Sequence, residues 1–208
     1  MNYIVYKIVK FILNPLFKLV FRPRIIGLNN IPKDGAVILA GNHTNNLDAA
    51  IMLSGPKRIV HMMAKKELFN TKLKNFFFRS MGCISVNRSI HDEKAKSEAI
   101  NILNDGKVLG IFPEGTVNKT DRYLLPFKYG AVSFAKKTGA LIVPFSITGK
   151  YKAFRKSIRI IYGKPYKVDK DLELENEILA KKVLELKKKG EKYDREKNKK
   201  ISLVWLLY

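Results

Sequence analysis

The sequence predicts an α/β protein: a mixed, largely parallel sheet covered by helices, with an amphipathic helix pair at the N-terminus. Three observations lead there. Short β-rich runs alternate with helical patterns through the middle, both ends carry helical patterns, and 208 residues suit one domain with a continuous core. The chain divides into residues 1–28, a membrane-interfacial helical segment; 29–168, the α/β domain; and 169–208, a basic helical segment with an apolar end.

Residues 1–22 read MNYIVYKIVKFILNPLFKLVFR. Lys7, Lys10, Asn14, Lys18 and Arg22 recur every three or four residues as one polar stripe, and Ile4, Ile8, Phe11, Ile12, Leu16 and Leu19 fill much of the remainder. Pro15 removes a backbone donor, so two short helices are expected in place of one. Lysines interrupt every apolar run well before the roughly 20 residues a spanning helix needs. With no acidic residue before Asp34 and no small-residue cleavage site, the segment reads as interfacial, its lysines meeting anionic headgroups. The alternative is a basic amphipathic helix docked on the protein's own core.

Ala36 to Ala40, Ile59 to Met63, Cys83 to Val86, Val108 to Phe112, Leu141 to Ile147 and Ile158 to Tyr162 read as strands. Helical patterns cover Asp48 to Leu53, Glu67 to Met81, Asp92 to Asn104 and Tyr129 to Lys137. In the third, Ala95, Ala99, Ile102 and Leu103 make a core face and Gly106 stands where a C-terminal cap belongs. From Lys170 to Lys200 the chain is helix-favouring, with Leu174, Ile178, Val183 and Leu186 as a thin seam. Ten of the twenty residues from Lys181 to Lys200 are Lys or Arg, a solvated face or a second contact with anionic lipid. The end, ISLVWLLY, offers Trp205 and Tyr208 to a membrane interface or tucks against the core.

Forty Lys and Arg against eighteen Asp and Glu give a net charge of +22, which points to polyanionic partners: nucleic acid, an anionic membrane or phosphorylated substrates. No zinc finger, RNP-like aromatic strand or G-x-x-G clamp appears, so nucleic acid is not the expected partner. A single cysteine, Cys83, excludes an internal disulfide, and three histidines away from metal-ligand spacing suggest no metal site.

In sheets of this kind ligands bind beyond the carboxyl ends of strands. Three such loops carry polar residues the fold does not demand: Asn42 to Asp48, Asn87-Arg88, and Pro113-Glu114-Gly115-Thr116. His43 lies five residues before Asp48, so a loop-to-helix turn is needed to bring the carboxylate onto the imidazole. A neutral imidazole so oriented takes a proton from a hydroxyl, and the carboxylate stabilises the cation that forms. The pair alone leaves two readings open, the other being a loop histidine beside an N-capping aspartate. No G-x-S-x-G elbow is present, and Cys83 sits in an apolar run as a core residue, which favours direct attack by the substrate's own hydroxyl.

His43 and Asp48 match the H-x-x-x-x-D signature of the glycerolipid acyltransferase family, and three further blocks follow in that family's order. Gly82-Cys83-Ile84-Ser85-Val86-Asn87-Arg88 resembles the second block, Phe112-Pro113-Glu114-Gly115-Thr116 the third, and Val143-Pro144-Phe145 the fourth. The likeness spans about Ile31 to Ser146 and leans toward 1-acyl-sn-glycerol-3-phosphate acyltransferases.

The resemblance implies a glycerol-3-phosphate acyltransferase-like fold, with His43 as general base and Asp48 as its partner. Arg88 then binds the substrate phosphate, Glu114, Gly115 and Thr116 help hold the glycerol phosphate, and Pro144 shapes the acyl-donor side. Many members carry an arginine directly after the Glu-Gly-Thr step; here Val117 stands there, and Lys128 is a candidate to supply that charge. The implied reaction moves an acyl group from acyl carrier protein or a coenzyme A thioester to lysophosphatidic acid, forming phosphatidic acid, with no further cofactor. Other acceptors, such as glycerol-3-phosphate or another lysolipid, use the same blocks. The implied location is the cytoplasmic face of the cell membrane, peripheral or monotopic.

Overall fold

The computed structural model describes the backbone of residues 1–205 and the side chains of residues 1–193, so the expected seat of Trp205 and Tyr208 lies outside the described residues. The elements run α1 (Tyr3–Phe21), β1 (Arg24–Ile26), β2 (Val37–Gly41), α2 (Asp48–Ser54), β3 (Val60–Lys65), α3 (Lys72–Ser80), β4 (Cys83–Val86), α4 (Glu93–Asn104), β5 (Val108–Ile111), α5 (Gly130–Thr138), β6 (Leu141–Gly149), β7 (Ile158–Tyr162) and α6 (Leu172–Trp205). One seven-stranded sheet is ordered β1-β7-β6-β2-β5-β3-β4. Every neighbouring pair is parallel except β6 with β7, so the expected mixed, largely parallel sheet is what forms.

Strict alternation along the central strands builds three layers. Ile38, Ala40, Leu109, Ile111 and Ile142 face α4, α5 and α6, where Ala95, Ala99, Leu103, Val132, Phe134, Leu179 and Val183 complete one core. Val37, Leu39, Val108, Val143, Phe145 and Ile147 face the other way and pack with Ile51 and Met52 of α2, and with Phe17 and Phe21 of α1. Both faces are covered, which is why these strands read as nearly continuous apolar runs.

Three local expectations change. The N-terminal helix pair is one helix, because Pro15 forfeits a single backbone bond while both halves rest on the same domain. Before the proline, Tyr6 is buried, Lys10 Nζ donates to Pro56 O at 2.9 Å and Asn14 Nδ2 to Ser54 O at 3.4 Å; after it, Phe17 and Phe21 pack on the core. The polar stripe at Lys10 and Asn14 therefore turns inward. The helix expected over Glu67 to Met81 splits into a 3-10 turn, Lys66–Phe69, and α3, whose cap is Thr71 Oγ1 accepting from Lys74 N–H at 3.3 Å.

The third change concerns the ends of the sheet. Arg24–Ile26, inside the segment read as helical, pairs with β7; three residues are too few to show a period. The buried stripe of α6 runs Glu175, Leu179, Val183 and Gly190, while Leu174 is exposed, so the seam is displaced by one residue at its start. Asn176 Nδ2 donates to Phe127 O at 2.8 Å and Lys187 Nζ to Tyr123 O at 2.6 Å. This helix clamps the long connection between β5 and α5.

Candidate active site

Strands β2, β4, β5 and β6 end on the same side of the sheet, and the loops that follow them meet there. Gly41 closes β2 where an added Cβ would stand 2.3 Å from Phe145 O, so only glycine permits the strand to run that close to β6. Asn42, fully buried, then behaves as one more rung: Nδ2 donates to Ile147 O at 2.9 Å and Oδ1 accepts from Ile147 N–H at 2.8 Å. The next residue is held from three directions. His43 N–H donates to Glu114 Oε1 at 2.7 Å, His43 O accepts from Asn118 N–H at 2.7 Å, and the ring stacks on Phe112 with centroids 4.1 Å apart and planes 14° from parallel.

His43 Nδ1 lies 3.0 Å from Asp48 Oδ2. The loop turns between them so that the same carboxylate also accepts from the N–H groups of Thr44 and Asn45, the latter at 2.8 Å, while Tyr151 Oη donates to Oδ1 at 2.7 Å. A carboxylate can only accept, so Nδ1 carries the hydrogen and the Nε2 lone pair is the basic site. Burial and the neighbouring Asp48 charge push the Tyr151 phenol up, which keeps it a neutral donor. Asp48 is fully buried, and the first-turn position in α2 gives it a favourable helix dipole.

Tyr151 was not singled out from the sequence. It follows β6, which runs parallel to β2 and ends on the same side of the sheet, so applying the strand-end rule to one more loop would have found it.

His43 lines a cavity of about 1860 Å³, with Asp48 behind it. On one side Leu13, Leu16 and Phe17 of α1, Phe77 of α3 and Met62 give it an apolar wall. On another, Arg88, Lys128, Thr116 and the Gly115 backbone line it. Gly115 has φ +69°, and an added Cβ would sit 3.0 Å from Lys128 Cε and 3.2 Å from Nζ. The lysine stem therefore lies across the turn, and its ammonium stands beside the Gly115 backbone, two residues before Val117. Among the described residues neither the Arg88 guanidinium nor the Lys128 ammonium has a hydrogen-bond or ion-pair partner. Cys83 is also on the wall; burial pushes its thiol up to about 12.

The acyltransferase family profile matches residues 22–148, more than half of the chain. The chain belongs to the acyltransferase family. It is 35% identical over 136 residues to a 1-acyl-sn-glycerol-3-phosphate acyltransferase of Borreliella burgdorferi, covering 64% of this chain and 54% of that one. To the protein of the same name from Bacillus subtilis it is 31% identical over 148 residues, 68% of this chain and 72% of the relative. The chain thus spans about half the length of the first relative and nearly three quarters of the second. The crystal structure of the 1-acyl-sn-glycerophosphate (LPA) acyltransferase PlsC from Thermotoga maritima superposes with a TM-score of 0.69 at 25% identity, covering 88% of this chain and 78% of that one.

Not every motif residue of this acyltransferase reaches the cavity. His43, Arg88, Gly115, Thr116 and Lys128 line it, and Asp48 backs the histidine. Glu114 is 4% exposed and turned inward, Oε1 on His43 N–H and Oε2 on Leu125 N–H at 2.8 Å, which is the geometry of a brace and not of a phosphate contact. Burial pushes the Glu114 carboxyl up, and those two backbone donors oppose the shift. Pro144 lies inside β6, buried, with its ring beside Gly163 and not on the cavity wall. Its side chain is on the α6 face of the sheet because it alternates with Val143 and Phe145, which face α1 and α2.

Proposed function

We propose that this acyltransferase moves a fatty acyl group from a thioester of acyl carrier protein or coenzyme A to the 2-hydroxyl of lysophosphatidic acid, giving phosphatidic acid for phospholipid synthesis. The observation that carries the reading is the 3.0 Å His43–Asp48 pair, on a cavity with an apolar wall and two cations that have no side-chain partner among the described residues. The names of the relatives supply the acceptor class.

In this reading Arg88 and Lys128 receive the phosphate, one offering a planar fork and the other a point charge. The apolar wall receives acyl chain. Nε2 of His43 takes the proton from the 2-hydroxyl as its oxygen attacks the thioester carbon; the imidazolium, steadied by Asp48, returns that proton to the departing thiolate. The ester bond forms as the C–S bond breaks, and no acyl-enzyme intervenes. Glu114 fixes the backbone of His43 and so holds the ring in place.

No helix among the described residues is long and apolar enough to cross a membrane. The outward face of α1 nevertheless exposes Ile4, Ile8, Phe11, Ile12, Leu16 and Leu19 beside exposed Lys7 and Lys18. An apolar face with a basic rim is the pattern of a helix lying in an anionic bilayer interface. The enzyme works in this reading as a peripheral protein on the cytoplasmic face of the membrane.

Purified protein supplied with lysophosphatidic acid and a palmitoyl thioester of either carrier is expected to form phosphatidic acid, read by mass spectrometry. His43→Ala is expected to cut the rate by ~10²- to 10⁴-fold, the usual worth of general-base help. Near-wild-type turnover by that variant would sink the mechanism, and faster acylation of glycerol-3-phosphate would sink the assigned acceptor.

A further inference from the structure

Helix α3 presents an outward face built like that of α1. Leu73 is 78% exposed and Phe76 57%, against 82% for Phe11, the most exposed large apolar side chain on α1. Scattered exposed apolar residues are ordinary on a protein surface, whereas two large ones three residues apart on one turn of a nine-residue helix form a patch. The patch is continuous with α1. The two helices are in contact, and Met1 and Asn2 share a hollow of about 330 Å³ with Lys72, Asn75, Phe76 and Arg79. Both helices also line the main cavity, through Leu13, Leu16 and Phe17 on one and Phe77 and Phe78 on the other.

The charge around α3 fits the same partner. Lys65, Lys66, Lys72 and Lys74 are exposed, with Glu67 the one acidic residue from 65 to 80. A nine-residue helix is too short to hold its shape alone in water, yet here the 3-10 turn before it, the Thr71 cap and the domain beneath present it already folded. Its apolar side chains can therefore enter a bilayer without an ordering cost.

We propose that α3 is a second membrane-inserting element, its Leu73–Phe76 face entering the interface of an anionic bilayer beside α1. The inference rests on the membrane reading of α1 given above. It makes the mouth of the cavity a slot between two inserted helices, so that a lipid acceptor passes from the bilayer to His43 without crossing water.

The test is co-sedimentation of the full chain with vesicles of phosphatidylcholine and phosphatidylglycerol, and with phosphatidylcholine vesicles alone. Leu73→Ser with Phe76→Ser is compared with Ile8→Ser with Phe11→Ser. Each double variant is expected to lose about tenfold or more in partition to the anionic vesicles, with an unchanged thermal midpoint because the side chains are exposed. Wild-type binding by the α3 variant with loss by the α1 variant would overturn the α3 inference and leave the α1 reading intact; undiminished binding by both would remove both. If the α3 substitutions instead turn a dimer into a monomer in analytical ultracentrifugation while vesicle binding is undiminished, the face is a self-interface and the proposal is wrong.

Discussion

The two polar sides of the cavity are built on opposite plans. At the His43 side every group except Nε2 has a fixed partner: the backbone N–H is on Glu114, the backbone oxygen on Asn118, the ring face on Phe112 and Nδ1 on Asp48, which is itself held by Tyr151. At the Arg88 side the cations line the cavity without a protein partner among the described residues. A base must meet a proton in one geometry, so its orientation is over-determined. A cation that receives a substrate phosphate must instead arrive uncommitted, since any acidic neighbour would compete with the ligand. The two plans predict different kinetic failures.

The largest failure belongs to the braced side. Asp48→Asn keeps the size but loses the charge, and the amide then competes to donate toward Nδ1, favouring the wrong tautomer. Turnover is expected to fall by ~10²- to 10⁴-fold with KM for the acceptor nearly constant. Measured kcat and KM would break the contrast if KM rose in proportion instead. Arg88→Ala is expected to do the reverse, raising KM for lysophosphatidic acid by about 10- to 100-fold, the loss of one or two charge-assisted hydrogen bonds, with kcat held within a few-fold. Increasing salt should weaken the wild-type enzyme in the same parameter and Arg88→Ala less.

Tyr151→Phe sharpens the comparison from inside the braced side. The phenol oxygen donates to Asp48 Oδ1 at 2.7 Å while the ring meets Phe21 of α1 edge-on at 5.6 Å, so the substitution removes one bond and keeps the packing. A neutral donor to a carboxylate is worth about 1.5–3 kcal/mol at most, so a drop in kcat of roughly tenfold is expected with KM unchanged. Unchanged kcat with a lowered thermal midpoint would mean that Tyr151 supports the fold alone.

The two sides also differ in how far the sequence disclosed them. The strands, the helical layers and the His43-Asp48 spacing follow from local period and from the rule that ligands gather at strand ends. The direction in which a motif side chain points does not. Glu114 belongs to the same block as Thr116, yet it faces the backbone of His43, seventy-one positions away, because folding brings β5 beside β2. Pro144 falls on the α6 face by one step of strand alternation. Pro15 misled for the reverse reason: local chemistry favoured a break, and packing of both halves on the domain outweighed one missing bond. Lys10 shows the same override, since its ammonium is half-buried on Pro56 O and burial holds it below the ordinary lysine range.

The smallest expected effect concerns Cys83, which shares the cavity wall with His43 but belongs to neither plan. A cysteine near a histidine invites an acyl-enzyme mechanism, in which the thiol would take the acyl group first. Thiolate is the reactive form, and burial pushes this thiol up to about 12, with the Arg79 charge only partly opposing it. Between pH 7 and 9 the group therefore stays protonated and inert. Cys83→Ala is expected to keep turnover within about twofold, since the sulfur is half-buried and its removal leaves a small gap next to an existing cavity. Mass spectrometry of enzyme incubated with the thioester donor alone is expected to find no acyl adduct on Cys83. Trapped acyl-cysteine, or a hundredfold loss in the alanine variant, would replace direct attack by a two-step transfer and make His43 the activator of a protein nucleophile.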